Sequence, residues 1–485
     1  MDDGTQQIDD VGPEEEPAPP HPARRGAAGP TRPASEPPPA PPVRLLPLRF
    51  RTRRGPRDAE GPAEAGRRSG AWAARGVRAL RAAVPALAGY LVVRIVGLAV
   101  ALAWSRTWHR PFVGRLVAWD SGWYEHIAAF GYDAVLHHRA HRLLPSNLAF
   151  FPLYPALMRA LRTVLPFLGW AQIALVVANL AALAAAWGIF AVAERLHGRR
   201  IAVLAAVLWG CWPVAIVQNM AYSEALLTAC AAWALWCAVS GRWIAAGVWA
   251  CLAGLARPNG IAAAAGVIAG AALTLGLRAV AVARADTAGG GSAASDTAAS
   301  GSAASGSAVS DTSGRRPAWW RPVVGAVLAP LGWIGYILWV GHRVHDSRAY
   351  FTVQRAWRSR FDFGRSTWDQ IATVFSNGHT FSLGVGAVTL LIIGSAVLLL
   401  VTALDRQPLP LWAYSATLLV IAVGDTAYFV SRARFLLPAF PLLLPIAAAL
   451  ARVRTRAVRG LLIAVAAGLS AVFGGYLLYV WPHAP

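Results

Sequence analysis

The sequence predicts an all-α polytopic membrane protein with about 11 transmembrane helices, because apolar runs of bilayer-spanning length recur along it. Of its 485 residues, 56% are hydrophobic and only 14% are charged, whereas a soluble domain carries roughly a quarter charged residues. Each run approaches the roughly 20 residues that a helix needs to cross a bilayer. The predicted segments begin near Val84, Ala171, Ile201, Tyr222, Trp243, Pro258, Pro322, Leu383, Leu409, Phe435 and Leu461.

Two polar stretches divide the chain into four parts. Residues 1–82 are rich in Pro, Ala, Glu and Arg and cannot bury a core, so they are predicted to be a disordered cytoplasmic tail. Residues 285–318 form a Gly/Ala/Ser repeat, which predicts a flexible linker. The apolar segments therefore fall into an N-terminal transmembrane part at 83–284, with a long first loop at 105–170, and a C-terminal part at 319–485.

The charge pattern indicates a membrane orientation. The net charge of +21 comes from Arg in the tail and in short loops between apolar segments, which is typical of topology-setting charge and does not indicate nucleic acid binding. With the N-terminus in the cytoplasm, alternation places the first loop and most unusual polar groups on the outer face. The four cysteines lie within apolar segments without metal-binding or redox spacing, so we expect them to be core residues.

The first loop holds a carboxylate between aromatic residues, since Asp120 follows Trp119 and precedes Trp123 and Tyr124. The spacing of these aromatics with Ile127 predicts a short amphipathic helix at the membrane interface. A carboxylate at such a boundary is costly unless it is solvated, paired or used in chemistry. The alternative is an ordinary aromatic belt with Asp120 as a helix N-cap, and the spacing leaves both open.

A second carboxylate, Glu224, follows Tyr222 where the third apolar segment meets the fourth. Just inside the bilayer, it could face a water-filled cavity and pair with an Arg or a substrate hydroxyl. It could equally occupy the first helical turn only because the helix dipole favours acids there.

Arginines stand at two further breaks on the same face. Arg257 precedes Pro258 and Gly260, which favour a tight turn between helices, and Arg432 and Arg434 form a second such site. An Arg at a membrane boundary can bind a phosphate through two parallel hydrogen bonds. The alternatives are a role in topology or contact with lipid head groups.

The loop Gly341–Ser382 interleaves aromatic residues with Arg, a combination that suits sugars and phosphates but also a solvated basic loop. His345 and Asp346 are adjacent, and two neighbouring residues cannot make a metal site alone. We therefore expect no cofactor, with a divalent metal left open.

Taken together, carboxylates and guanidinium groups on one membrane face indicate an enzyme that acts on an anionic lipid-linked substrate. The run from Trp119 to Tyr124, the pair Gly131-Tyr132 and the run from Phe150 to Pro155 also resemble a known family. It is the family of polytopic mannosyltransferases related to the second mannosyltransferase of GPI-anchor synthesis, particularly their bacterial relatives. Residues 221–224 and 434–441 are similar to that family as well.

The resemblance implies a glycosyltransferase of the GT-C type in the cell membrane, with an extracytoplasmic active site. It implies a polyprenyl-phosphate sugar, typically mannose, as donor. The acceptor cannot be carried over from the family, and a hydroxyl of a glycolipid, glycan or protein is expected. The acid of the first loop would be the base, which assigns that role to Asp120. Trp119, Trp123 and Tyr124 would then border the substrate, Tyr222 and Glu224 would position the sugar or an Arg, and Arg257 with Arg432 or Arg434 would stabilise the phosphate.

The alternative function is a transporter or flippase of a lipid-linked sugar. Such a protein would use the same aromatic and Arg side chains without needing a base. Transporters often contain two related halves with broken helices at matching positions, and no convincing internal repeat is present in this sequence. The sequence therefore favours the transferase.

Overall fold

A computed structural model describes residues 62–139, 142–290, 318–376, 382–426 and 428–484. The chain divides into two units, Met1–Gly66 and Arg67–Pro485, and apart from helix bounds the description below concerns the second. The predicted tail as far as residue 61 and the linker from 291 to 317 lie outside the described residues, so their disorder and flexibility stay predictions.

The described part of the chain is built from eighteen α-helices. In chain order they are α1 (Pro62–Thr107), α2 (Phe112–Leu116), α3 (Asp120–Phe130), α4 (Leu153–Val164), α5 (Trp170–His197), α6 (Arg199–Gly210), α7 (Glu224–Val239), α8 (Trp243–Ala256), α9 (Ile261–Gly290), α10 (Trp320–Leu328), α11 (Leu331–Arg343), α12 (Ala349–Ala356), α13 (Arg365–Ser376), α14 (Leu383–Leu404), α15 (Leu409–Gly424), α16 (Arg432–Phe435), α17 (Leu444–Arg452) and α18 (Arg456–Tyr479). Short 3₁₀-helices cover Asn147–Ala149, Ala215–Asn219, Pro258–Gly260, Phe429–Ser431 and Phe440–Leu443. Strands β1 (His138–Arg139) and β2 (Arg142–Leu143) pair antiparallel, with His138 opposite Leu143.

The all-α polytopic fold is confirmed, but the count of eleven spans is not. A helix or an interrupted helix pair stands at each predicted segment, yet only six described helices are long and apolar enough to cross a membrane. A seventh span is possible if the pair Phe429–Phe435 and Phe440–Arg452, bent by 78°, counts as one. The difference arises because several apolar runs are interrupted, as at Pro213, which follows α6 and cannot continue a helix.

Two predicted boundaries differ from the helix ends. Helix α1 begins at Pro62 rather than near residue 83, and its apolar, span-like portion begins at Gly76. The helix extends beyond the apolar portion because Ala and Arg, which dominate this stretch, are strong helix formers. Helix α9 similarly continues to Gly290, past the expected start of the linker.

Small residues let the central helices approach closely. A Cβ atom added to Gly247 of α8 would lie 2.5 Å from the carbonyl oxygen of Gly325 in α10, and one at Gly325 would collide with the carbonyl of Trp243. Helices in membranes gain packing when small residues bring their backbones together. This contact joins the parts of the chain before and after the linker.

The two longest loops are themselves partly helical and meet above the central helices. The first loop holds α2, α3 and α4, and the second loop, residues 344–382, holds α12 and α13. Trp357 of the second loop contacts Trp123 and Phe150 of the first, with ring centroids 5.2 and 5.4 Å away. The two loops therefore form opposite walls of one space.

Candidate active site

A cavity of about 800 Å³ lies between the two loops and the helix ends. Its lining comes from the start of α3, the segment 149–151, the turn after α8, α11, the second loop, the end of α15, α16 and the segment after α18. The lining includes Trp119, Asp120, Trp123, Tyr124, Phe150, Arg257, Asn259, Tyr350, Gln354, Arg355, Trp357, Arg360, Asp425, Tyr428 and Arg434. Acidic, basic and aromatic groups thus line one cavity.

Asp120 is the first residue of α3, and a strained backbone at Trp119 places it there. Trp119 has φ 58° and ψ −109°, a conformation that a large side chain rarely adopts, and backbone outliers of this kind cluster at functional sites. The predicted amphipathic helix at this place is α3, whose inner face buries Tyr124 and Ile127. Asp120 makes no N-cap bond, because the N-cap position is Trp119, so the capping alternative is wrong.

The Asp120 carboxylate instead pairs with Arg434. The Nη1 atom of Arg434 donates to Oδ2 of Asp120 at 2.8 Å, and the Asp120 side chain keeps 14% of its surface exposed. The helix dipole adds favourable interaction with a negative charge at the start of α3. The Asp120 carboxylate is therefore held in the cavity wall by Arg434, with part of its surface open.

Glu224 is paired just behind this contact. It begins α7 and has no exposed surface, and its Oε2 atom lies 2.8 Å from Nη1 of Arg257. Nε of Arg434 lies 3.7 Å from the other carboxylate oxygen of Glu224. Glu224 does occupy the first turn of α7, as the helix-dipole alternative requires. It also forms ion pairs with Arg257 and Arg434, so the helix dipole is not the only group that stabilises its charge. Its burial keeps it from lining the cavity.

The four charged groups form a continuous ion-pair network in the order Asp120, Arg434, Glu224, Arg257. Two carboxylates and two guanidinium groups give a formal charge of zero, which makes burial of all four tolerable. Removal of one member would leave a buried charge without compensation, which costs about 3–5 kcal/mol. The network joins four separate segments of the chain: α3, α7, the turn after α8, and α16.

Hydrogen bonds extend the ion-pair network from Arg257 to Tyr124 of α3. Nη1 of Arg257 donates to the hydroxyl of Ser223 at 3.2 Å, and that hydroxyl lies 2.6 Å from the phenol oxygen of Tyr124. Burial raises the pKa of Tyr124 to about 12, so the phenol keeps its proton at neutral pH. Asp120 and Tyr124 thereby fix α3 to the central helices at two points.

The aromatic residues predicted to contact the substrate or an Arg differ from one another in their surroundings. Trp123 stacks on Phe150 at 5.9 Å between ring centroids, and Trp119 lies below the guanidinium of Arg115 at 5.5 Å. Tyr124 is a buried wall residue rather than part of a rim. Tyr222 is fully buried outside the cavity lining, and the Arg434 guanidinium lies 5.5 Å above its ring, so Tyr222 supports an Arg.

The structure separates Arg432 from Arg434. Nη1 of Arg432 donates to Thr367 Oγ1 at 2.5 Å, and Nη2 donates to Ser366 Oγ at 2.9 Å and to the Asp425 carbonyl. Arg432 is almost completely buried and is not among the cavity-lining residues. The sequence left both as phosphate candidates, and only Arg434 reaches the cavity. Arg432 holds the second loop against the end of α15.

Arg432→Gln is expected to destabilise the second loop. Loss of hydrogen bonds from a buried charged group lowers the free energy of unfolding by about 3 kcal/mol. Limited proteolysis should therefore cut the region of α12 and α13 faster than in the wild type. An unchanged rate of proteolysis in this region would contradict the assignment.

Sequence reasoning missed Arg94, which lies within the apolar part of α1. It is 4% exposed, donates to the Gly210 carbonyl at 3.3 Å, and hydrogen bonds to Asn219 Oδ1. Tyr90 donates to Gln218 Oε1 at 2.9 Å beside it. These bonds hold the segment between α6 and α7, which contains the 3₁₀-helix Ala215–Asn219 and leads to Glu224. A charge inside an apolar span was the signal that could have found it.

The second loop does not bring its histidines into a metal site. Within the described ranges, no group of three or more His, Cys, Asp or Glu side chains is placed to hold a metal ion. The expectation that no cofactor is needed remains a prediction. Asp425, which the sequence also did not single out, accepts from Ser359 at 2.9 Å and lines the same cavity as Asp120.

Fold and site define a polytopic helical membrane protein with a cavity in which acidic and basic groups are paired. Residues 91–275, which include Asp120, Glu224 and Arg257, match the profile of the family described as Mannosyltransferase (PIG-V). This part of the chain is similar to that family, and the resemblance drawn from the first-loop motifs is confirmed.

One solved structure and the curated sequences complete the comparison. The crystal structure of ArnT from Cupriavidus metallidurans bound to undecaprenyl phosphate is similar, with 15% identity and a TM-score of 0.44. The match covers 77% of this chain and 62% of that one, so the chain spans less than two thirds of the ArnT length. No curated protein sequence matches the chain.

Proposed function

We propose that the protein is a membrane glycosyltransferase of the GT-C type. It transfers a hexose, expected to be mannose, from a polyprenyl-phosphate sugar to a hydroxyl of a glycolipid, glycan or protein acceptor. The observation that carries the proposal is the partly open Asp120 carboxylate, 2.8 Å from Arg434, in the wall of a cavity of about 800 Å³. The match of residues 91–275 to a mannosyltransferase family supports the reaction class and the sugar.

The proposed reaction is a single displacement with inversion at the anomeric carbon. The acceptor oxygen forms a bond to that carbon, the bond from the carbon to the phosphate oxygen breaks, and Asp120 takes the acceptor proton. Glu224 has no exposed surface, so it is not available as a nucleophile that would form a glycosyl intermediate. Direct displacement requires only one open carboxylate, the role proposed for Asp120.

Arg257 and Arg434 are the groups proposed to stabilise the leaving phosphate. Both line the cavity, and a guanidinium carries five N–H donors, so each can keep its carboxylate partner and still donate to phosphate. Positive charge fixed where negative charge develops lowers the barrier without reorganisation. The polyprenyl chain of the donor would remain in the lipid bilayer.

The proposed orientation has the N-terminus in the cytoplasm and the cavity on the extracytoplasmic side. Arg residues precede the apolar part of α1, which favours the cytoplasm for that end. Both loops that wall the cavity belong to the face opposite the N-terminus in the predicted alternation. Cysteine labelling at position 120 from only the cytoplasmic side would contradict this orientation.

A transfer assay with labelled donor tests the function. Membranes containing the protein, incubated with polyprenyl-phosphate [¹⁴C]mannose, should form a labelled acceptor product that membranes lacking the protein do not form. The same donor with glucose should be a poorer substrate. Purified protein that moves the labelled lipid across vesicles but forms no product would instead identify a transporter.

A further inference from the structure

We infer that Asn259 binds hydroxyl groups of the donor sugar and so determines which sugar is transferred. This inference rests on the proposed function and adds to it a residue of the specificity site. Asn259 lies in the 3₁₀ turn Pro258–Gly260, two residues after Arg257, and both residues line the cavity.

The amide of Asn259 lacks a hydrogen-bond partner. The residue is 4% exposed, and neither Oδ1 nor Nδ2 is hydrogen bonded to any described residue. Asn147 provides the contrast, since it is 1% exposed and its amide donates to the Gly131 carbonyl at 3.2 Å and accepts from Asp133 N–H at 2.9 Å. A buried amide without partners is unfavourable, and such a group is retained where a ligand supplies the missing bonds.

The turn that carries Asn259 is fixed by its neighbours. A Cβ atom at Gly260 would collide with the Ala253 carbonyl of α8, so a larger residue cannot occupy this position without moving the backbone. Pro258 restricts the other side of the turn. The amide can therefore meet a ligand mainly by rotation about its Cβ–Cγ bond, which is soft in asparagine.

The hydrogen bonds that the Asn259 amide lacks favour a sugar over a phosphate as its ligand. The amide offers a donor and an acceptor side by side, and neighbouring hydroxyls of a hexose can satisfy both. An ionised phosphate only accepts, so it would leave Oδ1 without a partner. The sugar concerned is that of the donor, because its anomeric carbon is attached directly to the phosphate that Arg257, on the same turn, is proposed to bind.

The test compares Asn259→Leu with Asn147→Leu in purified full-length protein. Binding of polyprenyl-phosphate mannose and of polyprenyl phosphate alone is measured for each, together with thermal stability without ligand. Asn259→Leu should weaken binding of the mannose lipid by about tenfold to a hundredfold, leave binding of polyprenyl phosphate unchanged, and keep or raise the melting temperature. Asn147→Leu should lower the melting temperature and leave the ratio of the two affinities unchanged.

Donors with single deoxy positions on the mannose locate the hydroxyl. Wild-type protein should discriminate against at least one of them, and Asn259→Leu should lose that discrimination. An unchanged affinity of Asn259→Leu for the mannose lipid, with normal wild-type transfer, would overturn the role of Asn259 alone. Absence of transfer by the wild type with any hexosyl donor would overturn the proposed function itself.

Discussion

Asp120→Asn is expected to lower the rate of sugar transfer by about 10²–10⁴-fold, because the amide cannot accept the acceptor proton. The protein should still fold, since Arg434 keeps an ionic contact with Glu224 at 3.7 Å and the amide oxygen can still accept its hydrogen bond. The rate is measured with labelled polyprenyl-phosphate mannose at saturating donor. The melting temperature of the same preparation shows whether folding is preserved.

Glu125→Gln is the matched control for this variant. Glu125 lies on the same helix, accepts from Ser121 at 2.8 Å, and is not among the residues that line the cavity. The same chemical change there should leave transfer close to the wild-type rate. If Asp425→Asn abolishes transfer and Asp120→Asn does not, the base is Asp425, the other carboxylate that lines the cavity, and the assignment of Asp120 is wrong.

Glu224→Leu and Arg257→Met are expected each to destabilise the protein by about 3–5 kcal/mol, because each leaves the partner as a buried, uncompensated charge. The double variant should recover most of that stability, since replacing a buried ion pair with apolar side chains is often neutral or stabilising. Transfer should remain lost in all three variants. The melting temperatures of the four proteins form a double-mutant cycle that gives the coupling energy.

The double-mutant cycle distinguishes a structural role of the Glu224–Arg257 ion pair from a role in sugar transfer. A double variant that regains both stability and transfer would show that Glu224 and Arg257 serve the fold alone. Additive losses of stability would contradict the 2.8 Å ion pair itself. Recovery of stability without transfer supports the proposed contact between Arg257 and the phosphate.

The sequence could identify Asp120, Glu224, Arg257 and Arg434 because polar groups at the ends of apolar runs are conspicuous. Their pairing could not be predicted, since nothing local relates positions as distant as 120 and 434. The sequence also could not decide which of Arg432 and Arg434 faces the cavity. Residues two apart on a helical turn point to nearly opposite sides, and only packing decides which side faces the cavity.

Three further differences between the sequence predictions and the structure also have physical causes. Hydropathy counts apolar runs but does not reveal that one of them breaks after Gly210, and the count of eleven spans is therefore not confirmed. The lack of hydrogen bonds at Asn259 depends on its three-dimensional neighbours and has no sequence signal. Arg94, which supports the segment before Glu224, does have a sequence signal, because it is a lone charge among apolar residues.

The contact between Asp120 and Arg434 has a consequence for biosynthesis, because the two residues are 314 positions apart. Chains emerge from the ribosome N-terminal end first, so the first loop is made long before its partner. Until residue 434 has been synthesised, Asp120 has no arginine from α16 beside it. The proposed transfer, which uses both residues, therefore requires nearly the whole described chain to be in place.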